Sequence, residues 1–245
     1  MQAKTIAPYM IFGEVEPKFS TFETLRSFFH GVDTDNINVI QFGNDLDTVA
    51  AVSDIWQMYG VRMHDLSTVE KIDAALPDTG FNIEKNLVMS TSHPLHEEET
   101  GMLISFYIRL VSTPSENTGI NIMRMLSAHK RELIVRIPHS RPPYMHCFAM
   151  VSHYAIIFAH PTFIELWPIF RGEGCMSSIK WTPQHPMVIY VVDLQTGQFF
   201  GIETDPLFVV HFANAYKTGS DLIVADMITY EDFSLFQSMQ IEQLR

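Results

Sequence analysis

The sequence predicts an all-β protein, and three observations support this fold class. Short segments rich in branched and aromatic residues recur along the 245-residue chain. Thr-Gly pairs precede several of these segments, and glycine supplies the positive φ that tight turns between antiparallel strands require. Helical periodicity is scarce. Many short strands joined by tight turns are typical of a sandwich, a barrel or a propeller.

Each predicted strand is a short apolar run bounded by turn-forming residues. In chain order the runs are NVIQFG (38–43), NLVMST (86–91), MLISFYIRLV (102–111), INIMRML (120–126), AIIFAH (155–160), MVIYVVD (187–193) and DLIVADM (221–227). The turns are Thr79-Gly80, Thr100-Gly101, Thr118-Gly119, Thr196-Gly197 and Thr218-Gly219. Only TFETLRSFFHG (21–31) and FIELWPIF (163–170) have the periodicity of a helical turn or two, and Pro168 limits the second.

Composition bounds the partners and the location of the protein. With 16 basic against 28 acidic residues, the net charge of −12 repels phosphate backbones, so we expect no nucleic-acid partner. Only Cys147 and Cys175 are present, too few for a disulfide framework. The amino terminus lacks the continuous apolar stretch of a secretory signal, and a cytoplasmic location is expected. No linker or sharp change in composition divides residues 1–245, so we expect a single domain.

One window without charged residues, 142–164, is long enough to cross a bilayer, which takes roughly 20 apolar residues. However, it contains three histidines and three prolines, which would leave polar groups and broken backbone hydrogen bonds in hydrocarbon. Two buried strands are therefore the favoured interpretation.

Three of the 11 histidines share one setting, in or beside a β-like segment with apolar neighbours. They are His93 in MSTSHPLHEEETG, His146 in PPYMHCFAM and His211 in PLFVVHFANAY. Their separations suit a repeated multi-strand unit, and in a propeller the innermost strands of several blades face one axis. Neutral imidazoles that meet there would bind Fe, Zn, Cu or Ni. The alternative is that each is a hydrogen-bonded core residue, and spacing alone leaves both interpretations open.

Three segments resemble motifs of one known family, in the same order along the chain. They are TSHPLHEEETG (91–101), YMHCFAMVSHYAIIF (144–158) and LFVVHFANAYKTGSDLIVADMITYED (207–232). The family is the carotenoid cleavage oxygenases, which include the lignostilbene dioxygenases and the retinoid isomerase of the visual cycle. The resemblance implies a fragment of a seven-bladed β-propeller that lacks the first and last blades.

The resemblance also implies a function and a cofactor. His93, His146 and His211 match three of the four histidines that bind a non-haem Fe(II) ion in the family, and nothing in this sequence matches the fourth. The implied reaction uses O2 to cleave a conjugated carbon–carbon double bond in a carotenoid or apocarotenoid, an apolar polyene. Alternatives are isomerohydrolysis of a retinyl ester and a catalytically inactive or truncated β module. A zinc hydrolase is least favoured, because HPLHEEE lacks the His-Glu-x-x-His arrangement.

Asp54 stands where the family has a glutamate that orients a ligand imidazole, within a resembling stretch at 31–61. A carboxylate one methylene shorter has less reach toward the imidazole N–H that fixes tautomer and ring direction. The alternative for Asp54 is an ordinary solvated turn residue.

Several apolar residues have both a functional and a structural interpretation. Met145, Phe148, Phe208 and Phe212 are candidate walls of a polyene cavity, and core packing explains them equally well. The resemblance places Trp167, Ile169 and Phe170 in a segment that contacts membranes in animal members, and burial in the domain is the alternative.

Charged and polar residues near the motifs are predicted to lie at the surface. His96 is three residues after His93, which on a strand places it on the opposite face, and the acidic run 97–99 is predicted to be a solvated turn. His153 and His160 are predicted to be strand-end or surface groups.

Overall fold

The computed structural model describes residues 9–11, 14–16, 20, 37–43, 45–77, 88–110, 119–139, 141, 143–165, 167–168, 171, 178–219 and 222–238. Antiparallel strands make up most of this part of the chain, which confirms the all-β prediction. A hairpin of β1 (Tyr9–Ile11) and β2 (Glu14–Glu16) comes first. Three larger sheets follow in chain order.

The first sheet contains four strands in sequence order: β3 (Asn38–Ile40), β4 (Thr48–Val52), β5 (Met58–Arg62) and β6 (Thr68–Ile72). Ala50 and Val52 of β4 are buried while the residue between them is half-buried, which is the alternation of a strand with one covered face. The covered face packs against Leu103 and Met125 of the next sheet.

The second sheet has the order β11-β10-β9-β7, with β8 also paired to β9. Its strands are β7 (Val88–Ser90), β8 (Leu95–His96), β9 (Leu103–Arg109), β10 (Gly119–Met125) and β11 (Arg131–Pro138). All seven residues of β9 are buried, because Tyr107 packs toward the first sheet and Phe106 toward the third. A strand covered on both faces has a nearly continuous apolar sequence, which made this strand predictable.

The third sheet has the order β12-β13-β16-β17. Its strands are β12 (Ala149–Val151), β13 (Tyr154–Ala159), β16 (Met187–Asp193) and β17 (Phe199–Thr204). Between β13 and β16 the chain forms the pair β14 (Thr162–Ile164) and β15 (Ile179–Trp181). A long hairpin of β18 (Phe208–Thr218) and β19 (Leu222–Tyr230) packs on this sheet, and the short helix α1 (Ser234–Ser238) follows.

Of the two predicted helical turns, the one at 163–170 is observed in part: Trp167 and Pro168 are helical, and the Arg171 N–H donates to the carbonyl oxygen of Trp167 at 3.2 Å. Phe163 and Ile164 lie in β14, where they pair with Lys180 and Ile179, so a helix over 163–170 is wrong at its start. The segment 21–31 lies outside the described residues. Among these residues, no helix has both the length and the apolar character needed to cross a membrane.

Most of the predicted turns that can be compared are observed. Gly101, Gly197 and Gly219 have φ of 68°, 71° and 65°, as a tight turn requires. Gly119 is different, because it lies within β10, where an added Cβ would come 2.4 Å from the carbonyl oxygen of Ile137. This glycine allows close approach of two strands rather than a turn. Thr79-Gly80 lies outside the described residues.

Two surface predictions are wrong in part: Glu98 and Glu99 form an exposed turn as predicted but Glu97 is buried, and His160 follows the end of β13 but does not lie at the surface. Glu97 is only 2% exposed, because both of its carboxylate oxygens accept hydrogen bonds from Arg124, at 2.9 and 2.8 Å. His160 is only 1% exposed, with its ring centroid 4.9 Å from that of Phe208. In both cases the local polarity suggested solvent, and a distant strand covers the residue instead.

Candidate metal centre

The structure brings His93, His146 and His211 together. One nitrogen from each imidazole lies within 4.8 Å of the other two. The Nε2 atoms of His93 and His146 are 3.0 Å apart, and the ring centroids are separated by 4.7 to 5.0 Å. The residues come from the loop between β7 and β8, the segment before β12, and β18. The geometric part of the prediction, that three imidazoles remote in sequence meet, is therefore confirmed.

Thr91 connects the first two histidine segments. The backbone N–H of His93 donates to Thr91 Oγ1 at 3.0 Å, and the Thr91 hydroxyl donates to the carbonyl oxygen of His146 at 2.6 Å. One short side chain thus fixes the backbone of both residues. Because Thr91 is buried, these hydrogen bonds are protected from competition with water.

The third histidine is positioned by an irregularity in β18. The register with β19 shifts between Val209 and Phe212, so His211 lies within a β-bulge. A bulge bends its strand and redirects a side chain, and bulges are frequent next to functional sites. The Cys147 thiol donates to the carbonyl oxygen of Val210, which joins the His146 segment to the start of this hairpin.

Asp54 contacts His146 directly. Its Oδ2 atom lies 2.7 Å from His146 Nδ1 and accepts a second hydrogen bond from the Tyr144 hydroxyl at 3.2 Å. Its Oδ1 atom accepts the backbone N–H of Ser92 at 3.2 Å. Because a carboxylate only accepts, the proton of the neutral His146 ring lies on Nδ1. The Nε2 lone pair therefore faces the cluster.

The Asp54 carboxylate, one methylene shorter than that of glutamate, reaches the His146 imidazole because the backbone around Asp54 contacts the backbone of the second sheet. The N–H of Ser90 donates to the carbonyl oxygen of Asp54 at 3.1 Å, and Ile55 pairs with Met89 as a single bridge between the first and second sheets. This pairing brings residue 54 next to the loop that carries His93. The expectation of a shorter reach considered only the length of the side chain, and the close backbone contact compensates for the missing methylene.

Electrostatics keeps two of the imidazoles neutral. Burial, followed by the neighbouring rings of His146 and His211, lowers the pKa of His93 to about 4. Burial also lowers the pKa of His211, with His146 contributing in the same direction. A neutral imidazole offers the lone pair that a metal ion requires, so these rings are ready to bind metal at neutral pH.

The donor set fits a first-row transition metal. Three imidazole nitrogens suit Fe, Zn, Cu or Ni and do not suit Mg²⁺ or Ca²⁺, which prefer oxygen. Imidazole nitrogens bind such ions at about 2.0–2.1 Å, and the 3.0 Å between two Nε2 atoms is short enough for one ion to contact both.

Tyr144 and Thr91 are the site residues that sequence reasoning missed. Tyr144 is 5% exposed, and burial raises the pKa of its hydroxyl well above the ordinary value, so it remains a protonated donor to Asp54. Both residues begin a segment that matches a motif, 91–101 and 144–158, but the motif does not indicate a role for either hydroxyl. Only the fold shows that their hydroxyls connect the ligand segments.

The candidate cavity walls belong to the hydrophobic core. Met145 and Phe148 are buried in the cluster between the second and third sheets, and Phe208 is buried against Phe233 and Phe236. Phe212 is half-buried against the third sheet. All four side chains therefore pack in or against the hydrophobic core, as the structural interpretation of these residues predicted.

The remaining candidates lie at the surface or outside the described residues. His96 is exposed, and His153 is half-buried in the turn between β12 and β13, where its ring contacts Tyr154. Trp167 is 66% exposed. Ile169 and Phe170 lie outside the described residues.

The fold and the cluster together define an all-β protein with a three-histidine candidate metal centre. The family model described as RPE65, retinal pigment epithelial membrane protein, matches residues 2–245. The chain therefore belongs to this family, the carotenoid oxygenases, as the motifs predicted.

Individual relatives are consistent with this membership. The chain is 24% identical over 236 residues to rat β,β-carotene 15,15'-dioxygenase, which covers 86% of the chain and 39% of that protein. It is 30% identical over 108 residues to the carotenoid isomerooxygenase of Galleria mellonella, covering 42% of the chain and 21% of that protein. The chain thus spans well under half the length of these relatives.

Solved structures show the same fold. A variant of the Synechocystis apocarotenoid oxygenase superposes with a TM-score of 0.63 at 22% identity, over 91% of the chain and 45% of that structure. The cobalt-substituted form of that enzyme gives 0.60 at 22% identity, over 85% of the chain and 43% of that structure. The lignostilbene dioxygenase of Pseudomonas brassicacearum gives 0.57 at 18% identity, over 80% of the chain and 38% of that structure.

Proposed function

We propose that this protein is a non-haem Fe(II) oxygenase that uses O2 to cleave a conjugated carbon–carbon double bond in a carotenoid or apocarotenoid. The observation that carries the proposal is the convergence of His93, His146 and His211, together with the contact between Asp54 and His146 Nδ1. Family membership supports the reaction class, because relatives are named as carotenoid dioxygenases. The described strands form separate sheets and no closed ring. The seven-bladed propeller is therefore also a proposal, which rests on family membership.

The residues of this chain have distinct roles in the proposed reaction. His93, His146 and His211 would hold the iron, which when bound supplies O2 activation for scission of the polyene into two carbonyl products. Asp54 holds the proton at His146 Nδ1 and thereby fixes the ring that presents Nε2 to the centre. Tyr144 holds the carboxylate of Asp54 in this position. His93 and His146 are half-buried at the centre, whereas the His211 side of the cluster is exposed in the described chain.

The proposed substrate is an apolar polyene, which offers few polar handles, so a dry elongated cavity would select it by shape. We also propose a peripheral membrane contact through Trp167, whose exposed ring has the Arg171 guanidinium 5.9 Å from its centroid. An aromatic ring beside a cation suits the boundary between lipid headgroups and acyl chains. Ile169 and Phe170 would extend this contact.

An inactive metal-binding β module is the second candidate. The described residues place three histidines at the centre, one fewer than the family set. Retinyl ester isomerohydrolysis would use the same ligands, and product analysis separates it from cleavage, because only cleavage yields two carbonyl fragments.

The proposal is tested by metal content and by products. Purified without oxygen, the protein is expected to contain about one iron per chain, and His146→Ala is expected to remove it because one of three donors is lost. His153→Ala is the matched control, since His153 lies in a turn of the same segment. Iron-loaded protein supplied with a carotenoid and O2 is expected to release carbonyl products. Zinc in place of iron, or iron without products, would contradict the proposal.

A further inference from the structure

Arg131 is a buried cation without an anionic partner. It begins β11 and is 7% exposed, yet no carboxylate within the described chain forms an ion pair with it. Its Nη1 donates to the carbonyl oxygens of Ser127 and Lys130, and its Nη2 lies 4.0 Å from the Sδ of Met58. Its Nε has no hydrogen-bond partner. An arginine that is nine-tenths buried is ordinarily paired with a carboxylate or phosphate.

The surroundings of the guanidinium compensate its charge only in part. Its central carbon lies 5.6 Å from the ring centroid of Phe42 and 6.0 Å from that of Trp56, so aromatic faces cover it. Burial lowers the pKa of Arg131 to about 10, with no carboxylate to raise it, and the group therefore still carries its charge at neutral pH. Burial of an unpaired charge is destabilising unless another group supplies the opposite charge.

Arg131 lines a cavity between the first and second sheets. The walls are mostly apolar, with Ile40, Trp56 and Met123 among them. The other polar side chains are Ser53, Ser90, Ser105 and Thr91, and the hydroxyls of Ser90 and Thr91 already donate to the carbonyl oxygens of Phe106 and His146. The space accommodates one particle of about the size of a water molecule. The cavity is separate from the histidine cluster, although Thr91 and Pro94 border it next to His93.

We propose that this cavity is a binding site for a small monovalent anion of the halide class, held by the guanidinium of Arg131. A chloride ion is larger than a water molecule but much smaller than sulfate, accepts N–H donors such as the unpartnered Nε–H of Arg131, and needs no donor of its own. Sulfate and phosphate are too large for the space. The anion would neutralise Arg131 and strengthen the contact between the two sheets, whatever the reaction at the histidine cluster.

Thermal unfolding in two salts tests the site. The purified chain is compared in sodium chloride and in sodium gluconate at equal ionic strength, since gluconate is too large to enter. A ligand that binds only the folded state raises Tm in a saturable way, and we expect a rise of about 2–4 °C in chloride. Arg131→Met is expected to abolish the difference between the salts. Arg62→Met, which removes an exposed arginine of the first sheet, is expected to retain it.

Three results would overturn the proposal: equal Tm in both salts for the unaltered chain, a chloride response that persists in Arg131→Met, or a response lost in Arg62→Met. If Arg131→Met does not fold, crystals of the unaltered chain soaked in sodium bromide provide the test. An anomalous bromide peak in contact with the Arg131 guanidinium supports the site. Density for water alone at that position, or bromide only elsewhere, overturns it.

Discussion

At the scale of single residues, the candidate site depends on hydrogen bonds that orient the imidazoles. Asp54 contacts His146 with one carboxylate oxygen and the His93 loop with the other, so one side chain sets the relative position of two candidate ligands. The sequence predicted the three histidines and Asp54, because these lie in recognisable motifs. Tyr144 and Thr91 were not predictable, since a hydroxyl acquires its role only from the group that the fold places beside it.

Asp54→Asn is expected to weaken metal binding about 10- to 100-fold, because an amide is a poorer acceptor for the imidazole N–H. Tyr144→Phe is expected to weaken it less, since Asp54 then loses one of three donors. Titration of the metal-free protein with Co²⁺, followed by visible absorption, measures both affinities. Asp65→Asn, in the exposed turn after β5, is the control. Unchanged affinity in Asp54→Asn would contradict the positioning role.

At the scale of secondary-structure elements, the burial of a residue depends more on which strands pack against it than on the polarity of its neighbours in sequence. Strand β9 was predictable because its apolar run is covered on both faces. Strand β11, RELIVRIP, was not, because its charged residues hide the alternation. His160 shows the same limit: it was predicted to be a strand-end or surface group and does follow the end of β13, but Phe208 of β18 covers its ring. A local sequence pattern does not show which strands, remote in the chain, will pack against a residue.

The burial of His160 predicts a pH dependence of stability. Burial lowers the pKa of His160 to about 3 in the folded state, against 6.5 in the unfolded chain. Between these values the unfolded state binds more protons, so the free energy of unfolding falls as the pH drops below 6.5. From pH 7 to pH 5 this one residue accounts for a loss of about 2 kcal/mol.

Urea unfolding at pH 7 and pH 5 measures this loss in the unaltered chain and in His160→Gln, which keeps hydrogen-bonding groups but does not titrate. We expect the variant to lose about 2 kcal/mol less between the two pH values. His153→Gln, in the turn before β13, is the control and is expected to behave as the unaltered chain. Equal losses in His160→Gln and the unaltered chain would show that His160 is not buried in the neutral form.

At the scale of the whole molecule, three sheets that follow one another along the chain carry the parts of the site to one place. The first sheet contributes Asp54 from the loop between β4 and β5, the second contributes His93, and the segments around the third contribute His146 and His211. The resemblance of three motifs to one family predicted this convergence, whereas the spacing of the β-like segments alone left it open. The sequence did not predict the cavity of Arg131, because that cavity exists only where two sheets pack together.

The central claim is that His93, His146 and His211 bind one metal ion, and diffraction at the iron absorption edge tests it most directly. Crystals of the protein prepared with Fe(II) in the absence of oxygen are expected to show a single anomalous peak, about 2.0–2.3 Å from one nitrogen of each of the three rings. A peak that contacts fewer than three of these imidazoles, or iron bound elsewhere on the chain, would contradict the account.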